Sequence, residues 1–137
     1  MIHFNSEDIP IPNIDQKKTI DWALQVASLH RKKVGEINYI FCSDTRILEI
    51  NQQYLQHDYY TDIITFDYSE QDNISGDIYI GIETVASNAM QLGFPFETEL
   101  SRVIIHGILH LCGFKDKTPG TEKKMHEKED EALKLLF

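Results

Sequence analysis

Residues 99–116 decide how this chain folds and what it can bind, and they read ELSRVIIHGILHLCGFKD from Glu99 to Asp116. His106 and His110 stand four residues apart inside an apolar run. In a helix, this spacing places both imidazoles on one face, one turn apart, where they can share one ion. The stretch therefore predicts a helix that buries one side and presents a pair of metal ligands on another.

A third ligand is expected just after this helix. Gly113 predicts the helix end, because glycine adopts the left-handed conformation found there at little cost. A turn at Gly113 would bring the Asp116 carboxylate back to His106 and His110. Two histidines and a carboxylate with room for water form the layout of a catalytic zinc site. A simpler interpretation is that the histidines are polar residues of a partly buried helix, satisfied by their neighbours.

Other ligand sets remain open from the sequence. His126, in the last predicted helix, competes with Asp116 for the third position. Cys112 falls two residues after His110 and so points away from the shared helix face. An aspartate ligand would also admit harder ions such as manganese. We therefore expect one divalent ion per chain, zinc in the first place.

The residue after His106 argues against a peptidase. Zinc proteases with the pattern H-E-x-x-H carry a glutamate there as general base. Gly107 stands at that position and has no side chain to take a proton. Peptide hydrolysis by that mechanism is therefore not expected.

Three segments, in this order along the chain, resemble the YbeY family of bacterial metal-dependent endoribonucleases. They read NQQYLQHDYYTDIITF from Asn51, SGDIYI from Ser75 and HGILHLCGF from His106. The family signature around the histidines runs H-G-x-L-H-L-x-G-Y-D-H. Two departures matter: Asp116 stands in place of the third histidine, and Leu55 replaces the arginine that follows N-x-x-Y.

The resemblance implies a fold, an activity and a set of partners. The fold would be α+β and zincin-like, with one domain over residues 1–137 and a small mixed sheet covered by helices. The activity would be zinc-dependent cleavage of single-stranded RNA in late ribosomal RNA maturation, at the 3′ end of the small-subunit RNA, and in ribosome quality control. The partners would be ribosomal RNA within ribosomal particles, a small-subunit ribosomal protein and an assembly GTPase.

The resemblance implies that the arginine after N-x-x-Y assists phosphate binding in the family. Leu55 stands at this position and cannot do so, so another residue must supply the phosphate contact. Arg102 lies one turn before His106 and could substitute. Alternatively, Arg102 forms a surface ion pair with Glu97 or Glu99.

Several residues of the upstream match have a second interpretation. His57 and Asp58 would line the cleft or form a solvated loop, and Asn51, Thr61 and Asp62 match the family pattern but also suit caps and turns.

Composition limits the function classes. The net charge of −9 argues against a broad nucleic-acid-binding surface, so any RNA contact must be local. Arg31-Lys32-Lys33 is one candidate, although basic residues also suit the last turn of a helix. Arg102, Lys115 and Lys117, which lie near the predicted metal site in the sequence, form the other candidate set. These features favour an enzyme that docks onto a preformed ribonucleoprotein. A ribosome-assembly factor with a structural metal and little nuclease activity is the alternative.

No apolar run approaches the roughly 20 residues of a membrane span and no signal peptide is evident, so a cytoplasmic location is expected. The two cysteines, Cys42 and Cys112, are far apart and typical of reduced core thiols.

Hydrophobic periodicity predicts strands alternating irregularly with helices, and hence an α+β fold. Trp22 is expected to anchor the core, and Leu24 to face it, within a first helix running to about Lys33. The predicted strands are 2–4, 36–42, 62–68 and 76–82, and the predicted helices are 15–33, 44–54, 83–92, one from residue 97 through His110, and 121–137.

Overall fold

A four-stranded sheet flanked by helices organises the chain, and the computed structural model describes residues 1–55 and 61–137. The elements are β1 (Ile2–Ser6), α1 (Gln16–Leu29), β2 (Lys33–Cys42), α2 (Asp44–Leu55), β3 (Ile63–Asp67), β4 (Asn73–Gly81), α3 (Ile82–Leu92), α4 (Phe96–Leu111) and α5 (Pro119–Leu136). This arrangement confirms the predicted α+β class. The closer likeness to the zinc-protease core stays a prediction.

The sheet is mixed, with strand order β1-β2-β4-β3. β1, β2 and β4 run parallel, whereas β3 pairs with β4 in the antiparallel sense and forms one edge. Side chains alternate along β4, so that Ile78 and Ile80 enter the larger core while Tyr79 packs on the opposite face. Helices α1, α4 and α5 supply the larger core, and α2 supplies the smaller one.

Two buried hydrogen bonds tie the helical layer together. The Trp22 Nε1 group donates to the Ala132 carbonyl at 2.8 Å and joins α1 to α5. The Tyr39 hydroxyl donates to the Ile104 carbonyl at 2.7 Å and joins β2 to α4. Satisfying these polar groups inside the core avoids the cost of burying them unpaired. Trp22 is therefore the core anchor that the sequence predicted.

The helix ends follow local sequence signals. Gly93 and Gly113 have φ angles of 73° and 106° and end α3 and α4 as predicted. The last helix begins at Pro119 rather than at the predicted residue 121, because Thr118 caps α5 and Pro119 occupies its first turn. Proline suits that position, since the amide it lacks would have no helical partner there. None of the described helices is long and apolar enough to cross a membrane.

The basic triplet Arg31-Lys32-Lys33 is not the last turn of a helix, so that interpretation is wrong. Helix α1 ends at Leu29, Arg31 has a φ of 61°, and β2 begins at Lys33. Lys32 pairs with Asp72 at 3.2 Å. Leu24, expected on the core side of α1, is 43% exposed. Periodicity misplaced the boundary because Val34 of β2 falls seven residues after Ala27, at the spacing of a helix face.

A glycine in β4 allows two elements to approach the strand closely. A Cβ on Gly76 would clash with the Phe66 carbonyl oxygen of β3 and lie 3.2 Å from Leu111 Cδ2 of α4. The missing side chain thus lets β3 and α4 pack against the same point of β4. Because β3 and α4 carry the candidate site, Gly76 helps to set its geometry.

We expect Gly76→Ala to lower the free energy of unfolding by about 1–3 kcal/mol or more, because a backbone carbonyl must move to admit the methyl group. Gly120→Ala is the matched control, since its Cβ would meet nothing within 4 Å and alanine favours a helix. Urea denaturation of both variants tests the expectation. Equal stability of Gly76→Ala and the wild type would contradict it.

Candidate metal centre

One face of α4 borders a cavity of about 500 Å³, called the cleft below. Glu99, Arg102, His106 and His110 follow at helical spacing and all line it. Residues of β3 and of the end of α2 also line the cleft, as do Asp116 and Lys117 after α4. The structure therefore brings both predicted histidines to one cleft, as the spacing of four residues required.

Asp116 returns to this cleft after the turn at Gly113. Its Oδ2 lies 3.2 Å from His106 Nε2. Two ligand atoms of one tetrahedral zinc ion, each at roughly 2.0–2.1 Å from it, are about 3.3 Å apart. The separation and the donor types of His106 and Asp116 therefore fit a shared divalent ion.

His106 is oriented by a buried carboxylate that the sequence interpretation missed. Its Nδ1 donates to Glu129 Oε2 at 2.6 Å, and Glu129 is only 6% exposed. With Nδ1 engaged by Glu129, Nε2 is the ring nitrogen that faces Asp116 and remains to bind an ion. Metal-binding histidines commonly donate their other ring nitrogen to a carboxylate in this way. No local pattern could reveal Glu129, because it lies 23 residues from His106 on another helix.

Arg102 holds the other side of Glu129. Its Nη1 donates to Glu129 Oε1 at 3.0 Å, and its Nη2 donates to Asp130 Oδ1 at 2.6 Å. Arg102 therefore does form ion pairs, but with Glu129 and Asp130 rather than with the predicted Glu97 or Glu99. The predicted phosphate contact stays a prediction, and the geometry favours a positioning role, because both terminal nitrogens are engaged.

The two histidines have different electrostatic surroundings. Burial acts to lower the pKa of His106, but the hydrogen bond and charge of Glu129, together with Asp116, outweigh it and raise the pKa. Burial lowers the pKa of His110, against the opposing effect of Asp116. The lowered pKa favours the neutral form of His110, which is the form that binds a metal.

His126 occupies a different position from Asp116. Its Nδ1 lies 3.7 Å from Glu129 Oε1, its Nε2 lies 4.0 Å from Asp130 Oδ1, and its side chain is 64% exposed. It does not line the cleft, and the neighbouring cavity that it borders is also lined by His106 and Asp116. The geometry thus favours Asp116 over His126 as the third ligand.

Two acidic residues that line the cleft, Glu99 and Asp62, were not predicted as members of the metal site. Glu99 is 5% exposed, and its Oε1 has no hydrogen-bond partner within the described residues. Burial raises the pKa of Glu99, and the charge of Asp62 adds to this effect. Burial also raises the pKa of Asp62, against the lowering effect of His106. Glu99 stands seven residues before His106, and this helical spacing was the signal available for it.

Gly107 faces the sheet rather than the cleft. A Cβ there would lie 2.9 Å from Ile78 Cδ1 and 3.5 Å from Ile63 Cδ1. A glutamate at this position would have to displace buried core side chains. The position after His106 is therefore occupied by packing against the sheet and does not line the cleft.

Cys112 has the inert character that was predicted. It is a free thiol that packs against the larger core, and burial raises its pKa to about 11. A protonated thiol is a poor metal ligand.

The three predicted ligands, His106, His110 and Asp116, do not enclose a common metal position. Among residues 1–55 and 61–137, no group of three or more histidine, cysteine, aspartate or glutamate side chains already surrounds a point suited to a metal ion. His106 and Asp116 have ligand-like proximity, and His110 lines the same cleft. His57 and Asp58, suggested as cleft residues, lie outside the described residues.

Comparison with known proteins gives a consistent result. The family model described as Endoribonuclease YbeY matches residues 1–136. An Endoribonuclease YbeY from Phocaeicola vulgatus is 57% identical over 136 residues, covering 99% of each chain. Another from Bacteroides thetaiotaomicron is 52% identical over 134 residues, covering 98% of each chain.

A solved structure agrees with these matches. The solution structure of TM1509 from Thermotoga maritima has a TM-score of 0.71 and 31% sequence identity, and it covers 99% of this chain and 89% of that one. Because the family model and both relatives match almost the entire sequence, the chain belongs to the YbeY family of endoribonucleases.

Proposed function

We propose that the chain is a single-strand-specific, metal-dependent endoribonuclease acting in late maturation of ribosomal RNA, at the 3′ end of the small-subunit RNA, and in ribosome quality control. Family membership supports hydrolysis of internal RNA phosphodiester bonds. The observation that carries the metal dependence is the 3.2 Å separation between His106 Nε2 and Asp116 Oδ2, with His110 in the same cleft.

The proposed cofactor is one zinc ion per chain, held by His106, His110 and Asp116. When bound, such an ion polarises a phosphate oxygen and makes water a nucleophile near neutral pH. An aspartate ligand is compatible with zinc and also suits harder ions such as manganese.

The chain's own residues would prepare this site in three ways. Glu129 fixes the tautomer and ring orientation of His106, and Arg102 in turn fixes Glu129. The apolar packing of α4 against β4 limits solvent on one side of the histidines. Asp62, with its raised pKa, lies in the same cleft and is a candidate to exchange a proton with the substrate.

The proposed partners are ribosomal RNA within ribosomal particles, a small-subunit ribosomal protein and an assembly GTPase, in the cytoplasm. A net charge of −9 disfavours binding of free RNA by electrostatic attraction alone. An enzyme that docks onto a preformed particle requires only local contacts with the RNA.

A second candidate is a ribosome-assembly factor whose metal is structural. It is favoured by Leu55, which lines the cleft at the position of the family arginine and carries no charge. If nuclease-free, metal-loaded protein cuts neither single-stranded nor structured RNA but still binds ribosomal particles, this second function replaces the first.

We expect native protein to carry about one metal ion per chain, and Asp116→Ala to lose both the ion and RNA cleavage because a direct ligand is removed. His126→Ala is the control, since the His126 side chain is 64% exposed and does not line the cleft. Elemental analysis followed by a cleavage assay on the same samples tests both. Loss of the ion from His126→Ala, with retention by Asp116→Ala, would overturn the ligand set.

We expect Glu129→Gln to weaken metal affinity by about 10- to 100-fold, the usual effect of losing a carboxylate behind a histidine ligand. Glu131→Gln is the matched control, because Glu131 lies on the same helix and forms an exposed pair with Lys128. Competition titration with a chromogenic chelator measures the affinity. Thermal unfolding of the metal-free proteins separates this effect from a loss of stability, and equal affinities of the two variants would contradict the positioning role.

A further inference from the structure

The cleft is acidic, although the proposed substrate is an anion. Within the described residues it is lined by four carboxylates, Asp62, Glu99, Asp116 and Glu129. An RNA phosphate entering this cleft meets repulsion from every carboxylate that is ionised. A bound divalent ion offsets part of this charge, and a cationic side chain must offset more for the substrate to bind.

The described wall of the cleft contains two cationic side chains, Arg102 and Lys117. Arg102 is 19% exposed and is engaged by Glu129 and Asp130. Withdrawing it toward a phosphate would leave the buried Glu129 without its cation, which is costly in a low-dielectric interior. The guanidinium group of Arg102 is therefore not available to bind a substrate phosphate.

Lys117 has the opposite properties. It is exposed and lines the cleft, and it forms no ion pair or hydrogen bond within residues 1–55 and 61–137. It follows Asp116 directly, so its backbone is fixed beside the proposed metal site. A flexible ammonium group with three donors can follow a phosphate without giving up another contact.

The geometry points to Lys117 as the residue that binds an RNA phosphate next to the metal site in this chain. Leu55 lines the same cleft from the end of α2 and provides no charge, so Lys117 supplies the cation from the segment that follows α4. This inference rests on the proposed function and names the substrate contact of the same site.

We expect Lys117→Gln to raise the KM for a single-stranded RNA by about 10- to 100-fold, the usual range for a charge-assisted contact, with unchanged metal content. The slope of log binding constant against log salt concentration should fall by about 0.7, the value for one phosphate contact on a single strand. Lys124→Gln is the matched control, because Lys124 is exposed on α5 and lines neither cavity.

Charge rescue distinguishes a phosphate contact from a structural role. Lys117→Arg should retain the KM of the wild type. Adding Leu55→Arg to Lys117→Gln should restore part of the affinity for RNA, because the new arginine places a cation in the cleft from the end of α2. Unchanged KM and salt slope in Lys117→Gln, or an equal loss in Lys124→Gln, would overturn the inference. RNA binding at several salt concentrations tests Lys117 even if no RNA is cut, whereas absence of cleavage by the metal-loaded wild type would overturn the proposed function instead.

Discussion

The buried carboxylate of Glu129 is the constraint on which the site depends. It accepts hydrogen bonds from His106 and Arg102, and thereby links α5 to two successive turns of α4. A buried charge is costly unless it is paired and hydrogen-bonded, so the arrangement is stable only when all three side chains are in place. The orientation of the His106 ring, and hence of the proposed metal site, follows from this docking of α5 on α4.

Helix α4 serves the core and the cleft with different faces. Gly107, Ile104 and Ile108 belong to the buried side of the helix, where Gly107 lies against Ile78 of the sheet. His106 and His110 face the cleft on the adjacent side. Because the position after His106 is taken up by packing, the helix has the ligand spacing of a zinc protease without its general base. In the proposed phosphodiester chemistry, a proton-exchanging group would therefore have to come from another element.

The acidity of the chain is consistent with a local mode of RNA recognition. The net charge is −9, and one of the two cations along the described wall of the cleft is neutralised by carboxylates. Long-range attraction of an RNA would therefore be weak, and selectivity would come from docking onto a particle and from a few contacts in the cleft. The basic triplet near residue 32 adds little, because Lys32 is paired with Asp72.

The sequence by itself determined the helix that carries His106 and His110, its stop at Gly113 and the α+β class. These depend on local periodicity and on backbone preferences that act over a few residues. It also suggested Asp116, because a turn of known type limits how far the chain can travel. Tertiary structure decided the rest. Glu129 and Asp130 engage Arg102 from 27 and 28 residues away, and Gly107 is confined by a strand far from it in sequence. Such contacts arise from how helices dock on a sheet, and no local pattern encodes that docking.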